Sequence, residues 1–280
     1  MGLGSVVRHV QSDGTLKRII EASYKEVRVV PPPTSTSYMR ASRLGEMCPR
    51  EEVLCSKLQV TREDKYSATS MLTFAHGKGL HHILQNDVLP AAGVLLGQWS
   101  CLDCGRKFGT KEGFPDGIVP RPKACDGTAG CGGREFQYRE LRFVDEQLRI
   151  GGHPDGFLCL PGMPGIGLLE AKSIGKGWEV RQAPNMSHVI QVHVYLMFTG
   201  LQWARILYWE KGASGVDALI EHHIDRDNET ISRIREVIRS VWEGIAGTSL
   251  PDRICTKDAC PRAMKCVVSK PCFETAGPMA

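Results

Sequence analysis

The sequence predicts an α/β fold in which a mixed central sheet is flanked by helices. Strand-like runs lie in the middle of the chain, amphipathic helical runs lie on either side of them, and turn residues separate the two. The expected order of the central elements is α-β-β-β-α-β. With 280 residues, the chain is long enough for one large domain or one domain with small additions.

Helices are predicted where apolar residues recur every three or four positions. Such a run near the N-terminus consists of Leu16, Ile19, Ile20 and Tyr24. Pro31, Pro32 and Pro33 then indicate a linker. Four further helical runs lie within 38–60, 70–89, 186–199 and 228–245. Ser42 is the expected N-cap of the first of these four.

Strands are predicted from alternating or short apolar runs bounded by turn residues. The alternating run covers 138–150, and the shorter runs cover 155–160, 166–173, 204–209 and 217–224. The turn-rich segment 161–165 joins two of them, so a hairpin is expected there.

Composition is ordinary for a soluble enzyme, with 42% hydrophobic and 24% charged residues. The net charge of +4 permits a polyanionic partner without requiring one. We expect no membrane association, because there is no apolar run of about 18 residues and no apolar signal segment. The expected location is the cytoplasm, where the 11 cysteines are interpreted as metal ligands rather than disulfides.

Two carboxylates and a lysine form the candidate active site. Glu170 and Lys172 are two positions apart on a predicted strand, so their side chains share a face that Ala171 does not. The hairpin can return this strand beside Asp155. Two converging carboxylates are costly unless a cation joins them, and Mg²⁺ or Mn²⁺ prefers such oxygen ligands. The alternative is a turn aspartate beside a surface strand pair.

The string from Pro154-Asp155 to Glu170-Ala171-Lys172 resembles the signature of the PD-(D/E)XK nuclease superfamily. The resemblance implies a restriction-endonuclease-like core and metal-dependent hydrolysis of phosphodiester bonds. In such a site the metal lowers the pKa of a bound water and neutralises phosphate charge. Lys172 would orient or deprotonate the attacking water and stabilise the developing charge.

Two flanking motifs follow the order typical of RecB-type nucleases. Gln191 and Tyr195 lie four positions apart on a predicted helix and resemble the Q-x3-Y motif, which in that family holds the lysine and the DNA backbone. Upstream, Gly77 and His81 resemble the G-x3-H motif, whose histidine is a further metal ligand. His82 departs from that spacing. The alternatives are an ordinary helix with a half-buried tyrosine and a structural histidine.

Cysteines near both ends of the core resemble those of the iron–sulfur branch of these nucleases, which includes AddB-type and CRISPR-associated adaptation exonucleases. In that branch one cysteine before the core and three after it hold a [4Fe-4S] cluster. The implied ligands are Cys48, Cys255, Cys266 and Cys272, with Cys260 as the substitute for Cys255. The C-x2-C pair usual in the branch is absent here. A zinc site made of the four C-terminal cysteines is the competing hypothesis.

A cysteine-rich insert over 99–133 carries the pairs Cys101/Cys104 and Cys125/Cys131, which are typical of a zinc ribbon. The second pair is spaced more widely than is common. The basic side chains of the insert are Arg106, Lys107, Lys111, Arg121 and Lys123. They predict either a lobe that grips DNA or a structural lobe with solvated charges. The remaining cysteines expected in the core are Cys55 and Cys159.

The predicted function is a Mg²⁺- or Mn²⁺-dependent exonuclease acting at single-stranded or duplex DNA ends, in recombination, repair or phage DNA metabolism. The exonuclease assignment follows from the resemblance, which is also compatible with a phage-encoded origin. We expect an N-terminal helix and linker over 1–37, and a nuclease domain over 38–272 that contains the zinc insert. Any unwinding would need a helicase or recombination partner, since no G-x4-G-K-[ST] motif is present. The alternatives are a non-catalytic DNA-binding protein and a regulatory iron–sulfur protein.

Overall fold

The computed structural model describes residues 15–23, 26–30, 38–127, 131–247 and 249–275. Tyr24 and the proline linker at 31–33 lie outside the described residues. Within the described part of the chain, none of the helices combines the length and apolar character needed to cross a bilayer.

Eight α-helices occur among the described residues. They are α1 (Thr15–Ser23), α2 (Ala41–Leu44), α3 (Pro49–Lys57), α4 (Ala68–Ile83), α5 (Leu89–Ala91), α6 (Met186–Thr199), α7 (Asn228–Ala246) and α8 (Ser269–Glu274). A π-helical turn, Leu84–Val88, connects α4 to α5. The 3₁₀ turns are Gly177–Glu179, Val216–Ala218 and Ala263–Lys265.

Thirteen strands occur in the same residues. They are β1 (Glu26–Val30), β2 (Met39–Arg40), β3 (Arg62–Tyr66), β4 (Leu95–Cys101), β5 (Lys107–Phe108), β6 (Val119–Pro120), β7 (Phe136–Arg139), β8 (Phe143–Asp145), β9 (Ile150–Gly152), β10 (Gly156–Leu158), β11 (Gly167–Ile174), β12 (Trp203–Glu210) and β13 (Leu219–Asp225).

The central sheet is mixed, as predicted. Its strand order is β13-β12-β11-β10-β4-β5, and β6 and β7 also pair with β4. β11 runs parallel to β12 but antiparallel to β10, with Gly156 opposite Leu169. Elements α4, β4, β10, β11, α6 and β12 follow one another in the order α-β-β-β-α-β, but β4 lies outside every predicted strand and takes the place expected for the run 138–150.

Helix α6 connects the parallel strands β11 and β12 and packs on the sheet. Its N-terminus is capped by Asn185, whose side chain accepts a hydrogen bond from the Ser187 amide, and Gly200 ends it in a left-handed conformation. Six consecutive residues from Gln191 to Leu196 are buried. Such a helix sits inside the molecule rather than on its surface, so a polar side chain on it must find its partner within the protein.

The last described residues of the chain pack against α3. Arg50, whose exposed fraction is 0%, donates hydrogen bonds to the carbonyl oxygens of Pro251 (2.9 Å) and Thr275 (3.0 Å). Beside it, Leu54 and Cys55 of α3 form an apolar cluster with Val268 and Cys272. These contacts join the start of the described core to its last residues.

Three sequence expectations differ from the structure. The alternating run 138–150 is not one strand but parts of β7, β8 and β9. Residues 140–142 separate β7 from β8, and a turn ending at Arg149, with positive φ, separates β8 from β9. Ser42 lies inside α2, and Arg40 precedes that helix instead. Cys159 is exposed just after β10, whereas Cys55 is buried as expected.

Candidate active site

The β10–β11 hairpin brings Asp155 next to the Glu170 strand. Asp155 immediately precedes β10, and the backbone amide of Ala171 on β11 donates a hydrogen bond of 2.7 Å to its Oδ2 atom. Glu170 and Lys172 flank Ala171 on the same strand, as the two-residue period requires. The predicted convergence of the two carboxylates and the lysine is therefore present in the structure, fixed by backbone hydrogen bonding.

Glu170 is the most buried carboxylate of the site, with an exposed fraction of 1%. Its Oε1 atom lies 2.6 Å from the Lys172 Nζ atom. Its Oε2 atom is buried and has no hydrogen-bond partner among the described residues. A buried carboxylate oxygen without a partner is costly, and a cation at that oxygen would satisfy it.

The pKa values of four groups at the site are raised, mainly by burial for the two glutamates and by neighbouring carboxylates for the lysine and the histidine. Burial raises the pKa of Glu170, Asp155 raises it further, and Lys172 opposes both. Burial alone would lower the pKa of Lys172, but Glu170 and Asp155 outweigh that effect. The hydrogen bond to Asp155 raises the pKa of His81, and burial followed by Asp155 raises the pKa of Glu140. The pocket thus holds excess negative charge, the condition that a divalent cation relieves.

Gln191 and Tyr195 lie on the face of α6 turned to the site. Lys172 Nζ donates to Gln191 Oε1 at 3.2 Å, and Gln191 Nε2 donates to the Tyr195 hydroxyl at 3.1 Å. The Tyr195 ring lies against Gly152, where an added Cβ would come within 2.6 Å of the ring. Only glycine leaves room for the tyrosine here, so the segment before Asp155 and helix α6 are fitted to each other.

His81 reaches the site from α4. Its Nδ1 atom lies 3.4 Å from Asp155 Oδ1. One turn earlier on the helix, an added Cβ at Gly77 would approach the Ser173 Oγ atom on β11 to 3.0 Å. The glycine of the G-x3-H pattern therefore allows the helix to pack closely on β11. His82 is exposed, and its ring contacts Asn86 rather than the carboxylates.

Glu140 joins the site although sequence reasoning did not single it out. It follows β7 and offers a carboxylate oxygen that lies, with ligand atoms of His81 and Asp155, within a group spanning at most 4.8 Å. Gln85 fixes this arrangement, since its Nε2 atom donates to Glu140 Oε1 at 3.0 Å and to the Asp155 carbonyl at 2.8 Å. In the sequence Glu140 is one polar position of an alternating run, and no motif distinguishes it from the other polar residues there.

These residues fit a divalent cation. Carboxylate oxygens from Asp155, Glu140 and Glu170 with one imidazole nitrogen form a donor set that suits Mn²⁺ well and Mg²⁺ through its oxygens. The three-residue group His81, Glu140 and Asp155 could hold a metal ion. Glu170 lies outside that group, and its buried Oε2 atom has no hydrogen-bond partner in the described chain.

The cysteines of the insert form a compact group. The Sγ atoms of Cys101, Cys104, Cys125 and Cys131 all lie within 4.8 Å of one another. The Cys104–Cys125 and Cys101–Cys131 pairs are 3.5 and 3.8 Å apart. Four thiolates around one zinc ion, at about 2.3 Å each, would be separated by about 3.8 Å. The group therefore has the size that a single tetrahedral ion requires.

The terminal cysteines form a wider group. Cys48, Cys255, Cys266 and Cys272 line one small cavity between α3 and the last residues, and Cys260 lies outside that lining beside Cys255. In the described chain, no three of these thiols fall within 4.8 Å of one another.

Two arginines of the insert already have protein partners. Arg106 pairs with Asp126 at 3.3 Å, and Arg121 pairs with Glu135 at 3.4 Å. Arg121 also donates to the Asn86 carbonyl. These contacts tie the insert together and to the π-helical turn, so at these two positions the structural interpretation of the basic charge is the better supported one.

No protein-family model and no curated protein sequence matches this chain. Among solved structures, an alkaline exonuclease (LHK-Exo) from Laribacter hongkongensis is 14% identical, over 77% of this chain and 91% of that chain, with a TM-score of 0.42. LHK-Exo in complex with dAMP matches over the same shares, at 14% identity and a TM-score of 0.43. A phage-related exonuclease from Haemophilus somnus 129PT is 16% identical over 38% of this chain and 57% of its own, with a TM-score of 0.28. Likeness at this level does not establish a shared family.

Proposed function

We propose that this protein is a metal-dependent deoxyribonuclease of the PD-(D/E)XK type that acts as an exonuclease at DNA ends. The observation that carries the proposal is the buried group of Asp155, Glu170 and Lys172, in which the Glu170 Oε2 atom has no partner in the described chain. An acidic, buried pocket with one fixed ammonium group suits the cleavage of a phosphodiester, whose charge needs both a cation and a hydrogen-bond donor.

Each side chain of the site has a proposed role. Asp155, Glu170 and His81 would hold Mg²⁺ or Mn²⁺, and Glu140 is within reach of the same position. When bound, the metal would supply a Lewis acid for the phosphate and make a water more acidic. Lys172 would donate to the phosphate or to the attacking water. Its ammonium group is kept in position by Glu170 and by the Gln191–Tyr195 pair.

The two cysteine groups have structural roles in this proposal. We propose that Cys48, Cys255, Cys266 and Cys272 hold a [4Fe-4S] cluster that closes the nuclease domain over 38–272. We also propose that the four insert cysteines hold zinc. The wider and narrower spacing of the two groups supports these different assignments. Residues 1–37 would lie outside the nuclease domain, and any duplex unwinding would come from a helicase or recombination partner.

Metal binding tests the site independently of activity. We expect calorimetry with Mn²⁺ to show binding to the parent protein and at least about tenfold weaker binding to Glu170→Gln, because the unpartnered oxygen is lost as an anionic ligand. Glu179→Gln is the matched control, since Glu179 is exposed on a nearby 3₁₀ turn. If Glu170→Gln bound Mn²⁺ as tightly as the parent and the control, the assignment of the metal site would be wrong.

A further inference from the structure

A cavity of about 770 Å³ opens directly beside the carboxylate site. His81 and Glu140 belong both to its lining and to the candidate metal group. A molecule that occupies this cavity therefore reaches His81 and Glu140, which form the candidate metal group together with Asp155. The volume falls within the range of about 300–1,000 Å³ that is typical of pockets for small ligands. It suits one or a few nucleotides rather than a length of duplex.

An aromatic pair lies on one side of the cavity. Phe74 on α4 and Tyr66 at the end of β3 pack edge to face with ring centroids 5.1 Å apart. Phe74 nevertheless keeps an exposed fraction of 45%, so the ring is supported by Tyr66 but not covered by it. A supported, accessible aromatic ring next to a phosphodiester-cleaving site is suited to stacking a nucleobase.

Two lysines line the same cavity. Lys78 projects from α4, and Lys211 follows β12. In the part of the chain that the structure describes, neither ammonium group has a carboxylate partner within 4.0 Å. Both charges are therefore available to a phosphate backbone, whereas the acidic residue of the lining, Glu140, lies at the candidate metal group. The cavity thus combines an aromatic surface, two lysines without a carboxylate partner in the described chain, and two members of the candidate metal group.

We propose that this cavity receives the unpaired end of a DNA single strand, with a base stacked on Phe74 and neighbouring phosphates contacting Lys78 and Lys211. The inference rests on the proposed nuclease function and names its substrate class. A base inside a duplex is paired and stacked on its neighbours, so it presents no free face to Phe74. An unpaired strand presents one at every base.

Binding measurements test the proposed single-strand site in this cavity separately from cleavage. Fluorescence anisotropy with a labelled oligothymidylate and a blunt duplex of equal length would be measured with Mn²⁺ in the Lys172→Ala background, which prevents degradation. We expect the single strand to bind at least about tenfold more tightly than the duplex. Adding Phe74→Ala should weaken single-strand binding by roughly 5- to 150-fold, the equivalent of ~1–3 kcal/mol for one stacked base.

Leu72→Ala is the matched control. Leu72 lies on the same helix with an exposed fraction of 52%, and it does not line the cavity, so its removal should leave binding unchanged. Phe74→Leu provides a second variant that keeps an apolar contact with Tyr66 but cannot stack. It should bind as weakly as Phe74→Ala. Lys211→Ala should also lower the slope of log Kd against log salt, by about 0.7 for one phosphate contact.

The outcomes separate the two proposals. Equal or tighter binding of the blunt duplex would overturn the proposal that the cavity binds a single strand. Parent-like binding by a folded Phe74→Leu variant would also overturn it. Loss of binding in Leu72→Ala as large as that in Phe74→Ala would also overturn it, because the effect would then not be specific to the cavity. Failure of the parent to cut any DNA would instead contradict the proposed nuclease function. The binding data would still decide whether the cavity binds single-stranded DNA.

Discussion

The carboxylate site and the two cysteine groups are assembled in different ways. Asp155, Glu170 and Lys172 are held by neighbouring strands and by protein hydrogen bonds, including the one from the Ala171 amide. The cysteines instead lie in two groups, mostly on loops and short elements, where several thiols accept hydrogen bonds from nearby backbone amides but no strand pairing in the described chain joins one cysteine to another. A site held by the sheet should survive the loss of a side chain or metal, whereas a cysteine group should lose its arrangement when its metal is removed. Catalysis and stability should therefore respond to different residues.

The largest expected effect is on activity. Asp155→Ala or Lys172→Ala should lower DNA cleavage by at least about 10²–10³-fold, because each removes a group that would contact the metal or the phosphate. The fold should remain, since the strand pairing remains, although Asp155→Ala should lower the melting temperature by several degrees because the buried Ala171 amide loses its acceptor. Cleavage of end-labelled DNA and thermal unfolding measure both effects. Lys176→Ala, an exposed lysine after the same strand, is the control and should behave like the parent. Collapse of the fold in both active-site variants would break the comparison.

The terminal cysteines should give the largest effect on stability. Cys48→Ser should lose iron and the visible absorbance of a cluster, and it should lower the free energy of unfolding by about 3–5 kcal/mol, as for a cross-link that closes a long loop. Iron analysis after anaerobic purification and denaturant unfolding provide the measurements. Cys159→Ser is the control, because Cys159 is exposed and outside both groups. A colourless, zinc-containing parent protein would contradict the cluster assignment.

Arg50 also joins α3 to the last described residues, by hydrogen bonds that need no metal. Arg50→Met should lower the free energy of unfolding by roughly 3 kcal/mol, because it removes two charged hydrogen bonds to Pro251 and Thr275. Iron content should stay near that of the parent. Arg235→Met, on the exposed face of α7, should cost little. Complete loss of iron from Arg50→Met would show that the cluster and the hydrogen bonds are not separable.

Loss of a cysteine from the insert should destabilise the insert but not the central sheet. Cys104→Ser should lose one equivalent of zinc, and amide hydrogen exchange should rise across 101–133 while strands β11 and β12 stay protected. The decrease in melting temperature should be less than half of that for Cys48→Ser, because the ends of the core remain joined. Zinc analysis and hydrogen exchange by mass spectrometry measure this. Exchange that rises equally throughout the sheet would mean that the insert and the core unfold as one unit.

The smallest expected effect is the pH dependence of stability that His188 contributes. Burial and then the Lys172 charge lower the pKa of His188 to about 4 from 6.5. Between these two values the unfolded chain binds the proton and the folded protein does not, so stability falls as pH decreases from about 6.5 to about 4. His188→Gln should lessen that decrease. Thermal unfolding across this range measures it, and identical pH profiles for parent and variant would contradict the lowered pKa.

One half of the sheet, together with helix α6, could be predicted from the sequence, whereas strand β4 was not expected. Helix α6 occupies the predicted 186–199, and β11 and β12 lie within one residue of the predicted runs, because long apolar periodic segments leave few alternatives. The order of motifs also placed His81, Asp155 and Glu170 on elements that the sheet brings together. The turns that end individual strands were harder to predict. The break at Arg149 depends on a left-handed backbone conformation that an alternating pattern does not reveal.

Residues recruited through tertiary packing could not be predicted. Glu140 and Gln85 enter the site because β7 pairs with β4 and a π-helical turn follows α4. Neither pairing nor a π turn has a marked local sequence signal, so both polar residues look ordinary in the chain. Cys159 shows the opposite case, since a cysteine in an apolar run was expected in the core and is exposed at a strand end.

The most direct measurement is digestion of end-labelled single-stranded and duplex DNA by the purified protein, without added divalent metal and with Mg²⁺ or Mn²⁺. We predict that products shorten progressively from an end, only when metal is added, and that Asp155→Ala forms none above background. Cleavage that needs no added metal, or equal cleavage by the parent and Asp155→Ala, would contradict the assignment of Asp155, Glu170 and Lys172 as a metal-dependent nuclease site.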